Sequence, residues 1–270
     1  MYKLIALDLD GTLLNSDRVI SRENQLAIAS ARAKGVKVVL VSGRPTEGVL
    51  GHINTLNMLS DDDYILSYNA SLVQSVKSNI VIHKAILTGK DAKHIASLAA
   101  EYGVNVHAFT PQKGLITPAI SQYTERESTV NGMPINVFDF AGLTNDEEVL
   151  KTMVVAEPAK LTAFINQLPS ELYERYTIMQ SAPYFLEFLS KKSNKGLGIK
   201  ALAEHLSITA DEVICMGDAG NDVHMIEYAG LGVAMGNATE EIKGLAQYIT
   251  TTNNEHGVAK VINEFVLNDE

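Results

Sequence analysis

The chain has 270 residues, of which 46% are hydrophobic and 20% are charged, and its formal net charge at pH 7 is −10. This composition is typical of a globular protein and excludes general disorder, and the length fits one large domain or two smaller ones. The acidic charge argues against broad nucleic-acid binding, and the single cysteine, Cys215, excludes an intramolecular disulfide and a multi-cysteine metal site.

The first part of the chain predicts strands that alternate with helices. Residues 3–9 form an apolar run, followed by a helical stretch at 22–34, a β-branched run at 36–41, a helix after Pro45 and a strand at 64–68. Strands that are apolar on both faces are typical of parallel sheets, because helices cover both sides of such sheets. The alternation therefore predicts a parallel sheet with helices on both faces.

The end of the chain repeats this alternation. The predicted elements are a helix at 195–206, a strand at 212–216, a helix at 221–229, a strand at 231–235, a helix at 239–247, a strand at 248–250 and a helix near 258–266. Together, the two ends of the chain predict one Rossmann-like core of the α/β class, built from residues 1–84 and 191–270.

The middle of the chain has a different pattern. A β-rich patch at 72–82 precedes it, and its predicted elements are a helix at 91–102, a strand at 151–156, a helix at 159–168, and strands at 177–181 and 185–189. These strands lack the glycine-rich turns that bind phosphate in α/β cores. We therefore expect an α+β domain at residues 85–190, inserted into the core.

The sharpest motif is the string Asp8-Leu9-Asp10-Gly11-Thr12 at the end of the first strand. Side chains two residues apart on a strand share a face, so both carboxylates can point into one site at the carboxyl edge of the sheet, where open α/β sheets bind ligands. Adjacent acids repel each other unless a cation lies beside them, and hard oxygen ligands favour Mg²⁺. The alternative is a pair of exposed loop acids.

A second acidic loop, Met216 to Asp222, follows another apolar strand. Asp218 and Asp222 flank a glycine-containing turn, and this spacing favours metal ligation at the same edge of the sheet. Taken alone, Asn221 or Asp222 is also a good helix N-cap. Two acidic loops at strand ends in one α/β protein favour the metal site.

Two further motifs suit a phosphate group. Ser42-Gly43-Arg44 ends the second strand and offers a hydroxyl, a backbone amide and a guanidinium at one turn. Lys195 begins a helix, where the helix dipole disfavours a cation, and a bound anion would explain that placement.

These four motifs, in this order, resemble the haloacid dehalogenase superfamily of phosphohydrolases. The long insertion between Ser42 and Lys195 is similar to the large α/β cap of the Cof-type sugar-phosphatase branch. The resemblance implies that Asp8 is the nucleophile that becomes a phosphoaspartate. It also implies that Asp10 protonates the leaving group and then activates water.

The resemblance further implies a set of binding residues around Mg²⁺ and the phosphate. Mg²⁺ would be held by Asp8, by the backbone carbonyl of Asp10 and by Asp218, with support from Asn221 and Asp222. The residues implied to hold the phosphoryl oxygens are Ser42, Gly43 and Lys195.

Three more residues are candidates for contact with the substrate. Arg44 follows the phosphate turn, and Asn237 lies in a strand-end segment, Met235 to Ala238, that resembles a motif of the same branch. Asn237 could instead buttress the metal loop. Asn69 matches an asparagine that the branch usually follows with glycine, but here Ala70 follows it.

The sequence thus predicts a Mg²⁺-dependent phosphatase that acts on phosphomonoesters of small metabolites, with sugar phosphates as the expected class. A phosphotransferase or mutase using the same aspartyl phosphate is an alternative, and a non-enzymatic phospho-acceptor module is a weaker one.

The sequence predicts neither a membrane segment nor a secretory signal. No run reaches the roughly 20 apolar residues that span a bilayer, and the N-terminal apolar run at 4–7 ends at Asp8. We expect a soluble cytoplasmic protein whose partner is a small phosphorylated metabolite, with no nucleic acid and no membrane. The oligomeric state stays open.

Overall fold

A computed structural model describes residues 1–268, and its internal contacts divide the chain into two compact units. The first unit joins Met1–Lys84 to the C-terminal residues from Asn194 onward, and the second unit is Ala85–Ser193. The assignment of residues 85–190 as a substrate-specificity domain stays a prediction.

Strands and helices alternate along most of the chain. Residues 1–84 form β1 (Leu4–Asp8), α1 (Arg22–Ala33), β2 (Lys37–Val41), α2 (Glu47–Thr55), β3 (Tyr64–Ser67), β4 (Leu72–Ser75) and β5 (Val81–Lys84). Residues 85–193 form β6 (Leu87–Thr88), α3 (Gly89–Glu101), β7 (Asn105–Thr110), β8 (Gly114–Thr117), α4 (Gln122–Asn131), β9 (Ile135–Val137), β10 (Glu148–Val149), β11 (Lys151–Val155), α5 (Pro158–Ile165), α6 (Ser170–Arg175), β12 (Tyr176–Ala182) and β13 (Phe185–Ser190). Residues 194–268 form α7 (Lys195–His205), β14 (Val213–Gly217), α8 (Val223–Tyr228), β15 (Leu231–Ala234), α9 (Glu240–Leu245), β16 (Tyr248–Ile249) and α10 (Gly257–Ile262).

The first unit is built on one sheet with the strand order β16-β15-β14-β1-β2-β3-β4-β5. All neighbours from β16 to β3 pair in parallel, which confirms the predicted α/β class with a central parallel sheet. At one edge, β4 and β5 pair antiparallel, unlike the rest of the predicted sheet. The reason is the short connection at residues 68–71, because a parallel crossover needs about a dozen residues or more.

The core of this unit lies on both faces of the sheet, as the apolar β1 requires. Ile5 and Leu7 are buried in a cluster with Ile28 of α1, on one face. Leu4 and Ala6 are buried in a second cluster, which includes side chains of α7. Burying β1 on both faces leaves its carboxyl end as the place where a polar side chain can reach a site.

The second unit is an α+β structure with its own core. Its main sheet has the order β12-β13-β11-β7-β8-β9, antiparallel except for the β8–β9 pair, and β6 pairs with β10. Ile95 of α3 and Phe164 of α5 are buried with Val106, Val154 and Phe188 from the strands. The predicted elements omitted β6, β7, β8, α4, β9, β10 and α6.

Across residues 1–268, each helix is either too short or too polar to serve as a membrane span.

Candidate active site

The turn that follows β1 is fixed by its backbone and by one glycine. Leu13 N donates to Asp8 O at 3.2 Å, and Leu14 N donates to Leu9 O at 2.9 Å. Gly11 has a φ of +89°, and a Cβ at that position would lie 2.4 Å from Asp218 Oδ2. The turn therefore requires glycine, both for the left-handed backbone and for the close approach of Asp218.

Asp218 reaches this turn because β14 pairs in parallel with β1. Thr12 Oγ1 donates to Asp218 Oδ1 at 2.9 Å, which joins the two loops. One carboxylate oxygen from each of Asp8, Asp218 and Asp222 lies within 4.8 Å of the others. The structure thus gathers into one acidic cluster side chains that are more than 200 residues apart in the chain.

Lys195 lies inside this acidic cluster. Its Nζ donates to Asp8 Oδ1, and to Asp222 Oδ1 at 2.6 Å. Lys195 and Asp222 are both 0% exposed. The helix that carries Lys195 is capped by Asn194, whose Oδ1 accepts a hydrogen bond from Leu197 N at 2.8 Å. A buried cation between two carboxylates is a strong pairing, because it satisfies charges that burial would otherwise disfavour.

Asp222 holds the second acidic loop in shape. Its Oδ2 accepts hydrogen bonds from the backbone N–H of Asp218 at 2.9 Å and of Ala219 at 3.0 Å. Since Lys195 bonds the other oxygen, both oxygens of Asp222 already accept hydrogen bonds within the protein. This arrangement orients Asp218 and Lys195.

Burial and neighbouring carboxylates shift the pKa values of the acidic cluster. Burial, and then the charge of Asp222, raises the pKa of Asp8 well above its ordinary value, although Lys195 opposes this rise. Burial raises the pKa of Asp218 to about 6, with the Thr12 hydrogen bond acting in the opposite direction. Burial disfavours the charge on Lys195, but the carboxylates of Asp222 and Asp8 outweigh burial and raise its pKa.

These observations fit a divalent cation beside Asp8 and Asp218. Lys195 bonds Oδ1 of Asp8, and Thr12 bonds Oδ1 of Asp218. Within residues 1–268, the second oxygen of each of these two carboxylates accepts no hydrogen bond. Carboxylate oxygens are hard ligands, and a cation there would favour the ionised forms that burial and neighbouring carboxylates disfavour.

Asp10 is paired with Arg44 at the edge of the site. Arg44 Nε donates to Asp10 Oδ2 at 2.8 Å, and Nη2 donates to Oδ1 at 2.5 Å, so the contact is bidentate. The Asp10 side chain is 53% exposed, in contrast to the buried Asp8. Arg44 is itself held by its backbone N–H, which donates to Ser42 Oγ at 3.1 Å.

Asn69 ties the loop after β3 to two other loops. Its N–H donates to Ser42 O at 2.9 Å, and its Oδ1 accepts from Asn221 Nδ2 at 3.0 Å. Tyr68, Asn69 and Ala70 have φ values of +53°, +54° and +64°. Ala70 therefore adopts a left-handed backbone that glycine takes without strain, at the position where the family pattern has glycine.

Asn237 joins the turn after β1 to the segment at Asn253 through the two ends of its amide. Its Nδ2 donates to Gly11 O at 2.8 Å, and its Oδ1 accepts from Asn253 N at 3.0 Å. Asn253 was not among the residues identified from the sequence, because it lies in a polar run at 250–255 that shows no periodicity.

The predicted site residues therefore follow the carboxyl ends of strands or begin α7. They lie at the end of β1, in the loops after β1, β2, β3, β14 and β15, or at the first position of α7. These residues are Asp8, Asp10, Ser42, Gly43, Arg44, Asn69, Asp218, Asn221, Asp222, Asn237 and Lys195. Their individual roles in catalysis and binding stay predictions.

Comparisons with known proteins give the same family as the sequence motifs. A family model described as haloacid dehalogenase-like hydrolase matches residues 5–262. The chain is 40% identical to YxeH of Bacillus subtilis over 269 residues, which cover 99% of each chain. It is 33% identical to the 5-amino-6-(5-phospho-D-ribitylamino)uracil phosphatase YcsE of Bacillus subtilis, covering 98% of this chain and 96% of that protein. A haloacid dehalogenase-like hydrolase from Bacteroides thetaiotaomicron superposes with a TM-score of 0.87 at 35% identity, covering 97% of this chain and 99% of that one.

Proposed function

Because the chain belongs to the haloacid dehalogenase-like hydrolases and is an enzyme of the phosphatase type, we propose that it hydrolyses phosphomonoesters of small metabolites through a phosphoaspartate on Asp8. Sugar and polyol phosphates are the proposed substrate class. The phosphoribityl substrate in the name of YcsE supports this class, since it is a polyol phosphate.

One observation carries the proposal: a buried carboxylate and an exposed carboxylate lie on the same turn and have different cationic partners. Asp8 is buried and bonded to Lys195, which suits a nucleophile held in place. Asp10 is half-exposed, which suits a group that exchanges protons with substrate and water, and Arg44 holds its side chain in place. The different environments support different tasks for the two acids.

In the first step, a carboxylate oxygen of Asp8 attacks phosphorus as the bond to the leaving oxygen breaks. Asp10 donates a proton to that oxygen, and the alcohol departs. In the second step, Asp10 takes a proton from a water molecule whose oxygen attacks phosphorus. The bond between phosphorus and Asp8 then breaks, which releases inorganic phosphate and restores both carboxyl groups.

Ser42, Gly43 and Lys195 are the groups proposed to bind the phosphoryl oxygens. The Ser42 Oγ accepts a hydrogen bond from the backbone N–H of Arg44. The hydroxyl hydrogen of Ser42 points away from that donor and can be donated to a phosphate. Lys195 adds a buried positive charge directly beside Asp8, where negative charge gathers as the phosphoryl group transfers. Arg44 and Asn69 stay candidates for substrate contact.

Mg²⁺ is the proposed cofactor, and Asp8, the Asp10 carbonyl and Asp218 are the groups that would hold it. When bound, it offsets the negative charge of the phosphate and of the acidic cluster. Asn221 and Asp222 support this site. For Asp222, the support consists of the three hydrogen bonds that orient Asp218, Ala219 and Lys195.

The second unit, Ala85–Ser193, is proposed to select the leaving group. It has its own sheet and core, so its surface can vary without disturbing the turn that carries Asp8.

The test is a phosphate-release screen over phosphorylated metabolites, with Mg²⁺ and with EDTA. We expect release from sugar or polyol phosphates that requires Mg²⁺ and is lost in Asp8→Asn. Isomerised sugar phosphate without phosphate release would identify a mutase instead. Full activity in Asp8→Asn would contradict the covalent route.

A further inference from the structure

Three asparagine side chains from the C-terminal part of the chain fasten the backbone that follows Asp10. Asn237 Nδ2 donates to Gly11 O at 2.8 Å, and Asn253 Nδ2 donates to Leu14 O at 2.8 Å. Asn254 Oδ1 accepts from Ser16 N at 2.9 Å. We refer to Asn237, Asn253 and Asn254 as the asparagine cluster.

The asparagine cluster is internally linked. The backbone N–H of Asn253 donates to Asn237 Oδ1 at 3.0 Å, so the loop after β15 is joined to the 3-10 turn at Asn253–Glu255. Asn254 adds a second contact, because its Nδ2 donates to Ser16 Oγ at 2.9 Å. The amide of Asn237 is therefore committed at both ends to protein groups.

Arg44 holds the Asp10 carboxylate directly, but the backbone that follows Asp10 has little side-chain support within the turn itself. Gly11 lacks a side chain and has a φ of +89°, so its peptide groups can rotate more widely than those of any other residue. Thr12 is fixed from one side by Asp218. Asn237 fixes the other side, because a hydrogen bond to Gly11 O sets the orientation of the peptide group that follows Gly11.

We propose that Asn237 and Asn253 are positioning residues that set the direction of the Asp10 carboxyl group for proton transfer to the leaving group. This inference rests on the proposed function. Asn237 acts through Gly11, the neighbour of Asp10, and Asn253 acts through Leu14 and through Asn237. The assignment replaces direct substrate contact as the role of Asn237.

Proton transfer is sensitive to geometry, so the inference predicts a specific kinetic pattern. An alkyl phosphate has a strongly basic leaving oxygen and depends on a proton from Asp10, whereas p-nitrophenyl phosphate has a stable leaving group that hardly needs one. A displaced Asp10 therefore slows the alkyl phosphate far more than the aryl phosphate. A variant that is merely less folded slows both equally.

The experiment compares kcat and KM of Asn237→Ala and Asn253→Ala on a sugar phosphate and on p-nitrophenyl phosphate, with saturating Mg²⁺. We expect the ratio of kcat for the sugar phosphate to kcat for p-nitrophenyl phosphate to fall about tenfold in Asn237→Ala and about threefold in Asn253→Ala, with little change in KM. Asn254→Ala is the matched control, because Asn254 contacts Ser16 farther along the chain, and its ratio should stay within about twofold of wild type.

Asp10→Asn in the same assay separates the inference from the proposed function. If Asp10→Asn slows both substrates equally, the proposed acid role fails. If Asp10→Asn discriminates between the substrates but Asn237→Ala slows both in parallel, the asparagine cluster is only structural and the inference is overturned. Should Asn237→Ala not fold, Asn253→Ala decides by the same ratio, because it removes the bond to Leu14 O and leaves the backbone N–H of residue 253 to bond Asn237.

Discussion

Each of the two units buries a lysine beside titratable side chains, and the pKa shifts around the two lysines differ in direction. In the first unit, Lys195 bonds Asp8 and Asp222, with Asp218 close by. In the second unit, Lys151 of β11 lies 3.3 Å from Glu187 of β13, and His107 is buried near it.

The pKa shifts reflect this difference. In the first unit, burial and neighbouring carboxylates raise the pKa of Asp8 and of Asp218. In the second unit, burial and Lys151 lower the pKa of His107 to about 3, so this histidine stays neutral. In the first unit, burial therefore disfavours the carboxylate charges on which the proposed site depends. Such a conflict between stability and charge is typical of functional sites.

Replacing the proposed nucleophile, Asp8, should produce the largest effect, with opposite changes in turnover and in stability. Asp8→Asn is expected to reduce turnover by at least about 10³-fold, since no carboxylate remains to attack phosphorus. The same change should raise the urea midpoint of the metal-free protein, because it removes a charge that burial disfavours. Phosphate release and urea unfolding in EDTA measure the two effects.

The matched control is Glu187→Gln in the second unit, which removes the carboxylate charge beside Lys151. It should lower the free energy of unfolding by about 3 kcal/mol, because it removes one partner of a buried ion pair. A loss of stability in Asp8→Asn of the same size would contradict the comparison.

Removing the buried cation of the first unit should be nearly as damaging to activity. Lys195→Met is expected to lower kcat/KM by about 10²–10³-fold, the cost of losing one preorganised group that stabilises transferring charge. Lys195→Arg keeps the charge but is too large for a fully buried site, so it should rescue little. Restoration of wild-type kcat/KM by arginine would show that the charge alone is sufficient.

The requirement for Mg²⁺ should depend on pH through Asp218. Its pKa of about 6 means that protons compete with the metal below that value. The Mg²⁺ concentration that gives half-maximal activity should fall as pH rises from 5 to about 7, then level off. Activity titrations with Mg²⁺ at several pH values measure this, and a requirement independent of pH would contradict it.

The raised pKa of Asp218 also determines how the stability of the metal-free protein changes with pH. Because the pKa of Asp218 is raised in the folded state, that state holds more protons than the unfolded chain between its ordinary pKa and about 6. The contribution of Asp218 to stability therefore falls as pH rises through this window. Saturating Mg²⁺ should remove the fall.

The smallest expected effect belongs to the second unit. There, the contribution of His107 to stability rises with pH, whereas that of Asp218 falls. His107 has a pKa lowered to about 3, so the unfolded chain binds its proton first as pH drops below about 6.5. Its contribution is full above that value and should decrease by about 2 kcal/mol between pH 6.5 and pH 5. Urea unfolding of wild type and His107→Leu measures this, and an equal acid loss in both would contradict it.

Much of the first unit could be predicted from sequence because its apolar strands change abruptly to polar residues at their carboxyl ends. β1 is apolar on both faces until Asp8, so the change to acidic residues marks both the end of the strand and the site. Lys195 was identifiable because a cation at the start of a helix is unfavourable without a partner. The antiparallel β4 and β5 were missed because the pairing direction depends on connection length rather than on composition.

The missing elements of the second unit have a different cause. The helix α4 buries Thr124, Glu127 and Asn131, which are all polar, so it shows no apolar periodicity. The asparagine cluster was missed for a related reason, since loop residues that bond a distant backbone leave no pattern in the sequence. Asn237 was identified only through its resemblance to a family motif.

The central claim is that Asp8 carries the phosphoryl group during turnover. The most direct measurement is acid-quenched mass spectrometry of Asp10→Asn during reaction with p-nitrophenyl phosphate, because loss of the proposed base should slow the second step and let the intermediate accumulate. The account predicts one added phosphoryl group, located on the peptide that contains Asp8. Release of p-nitrophenol and phosphate at equal rates, with no covalent phosphate on that peptide, would contradict it.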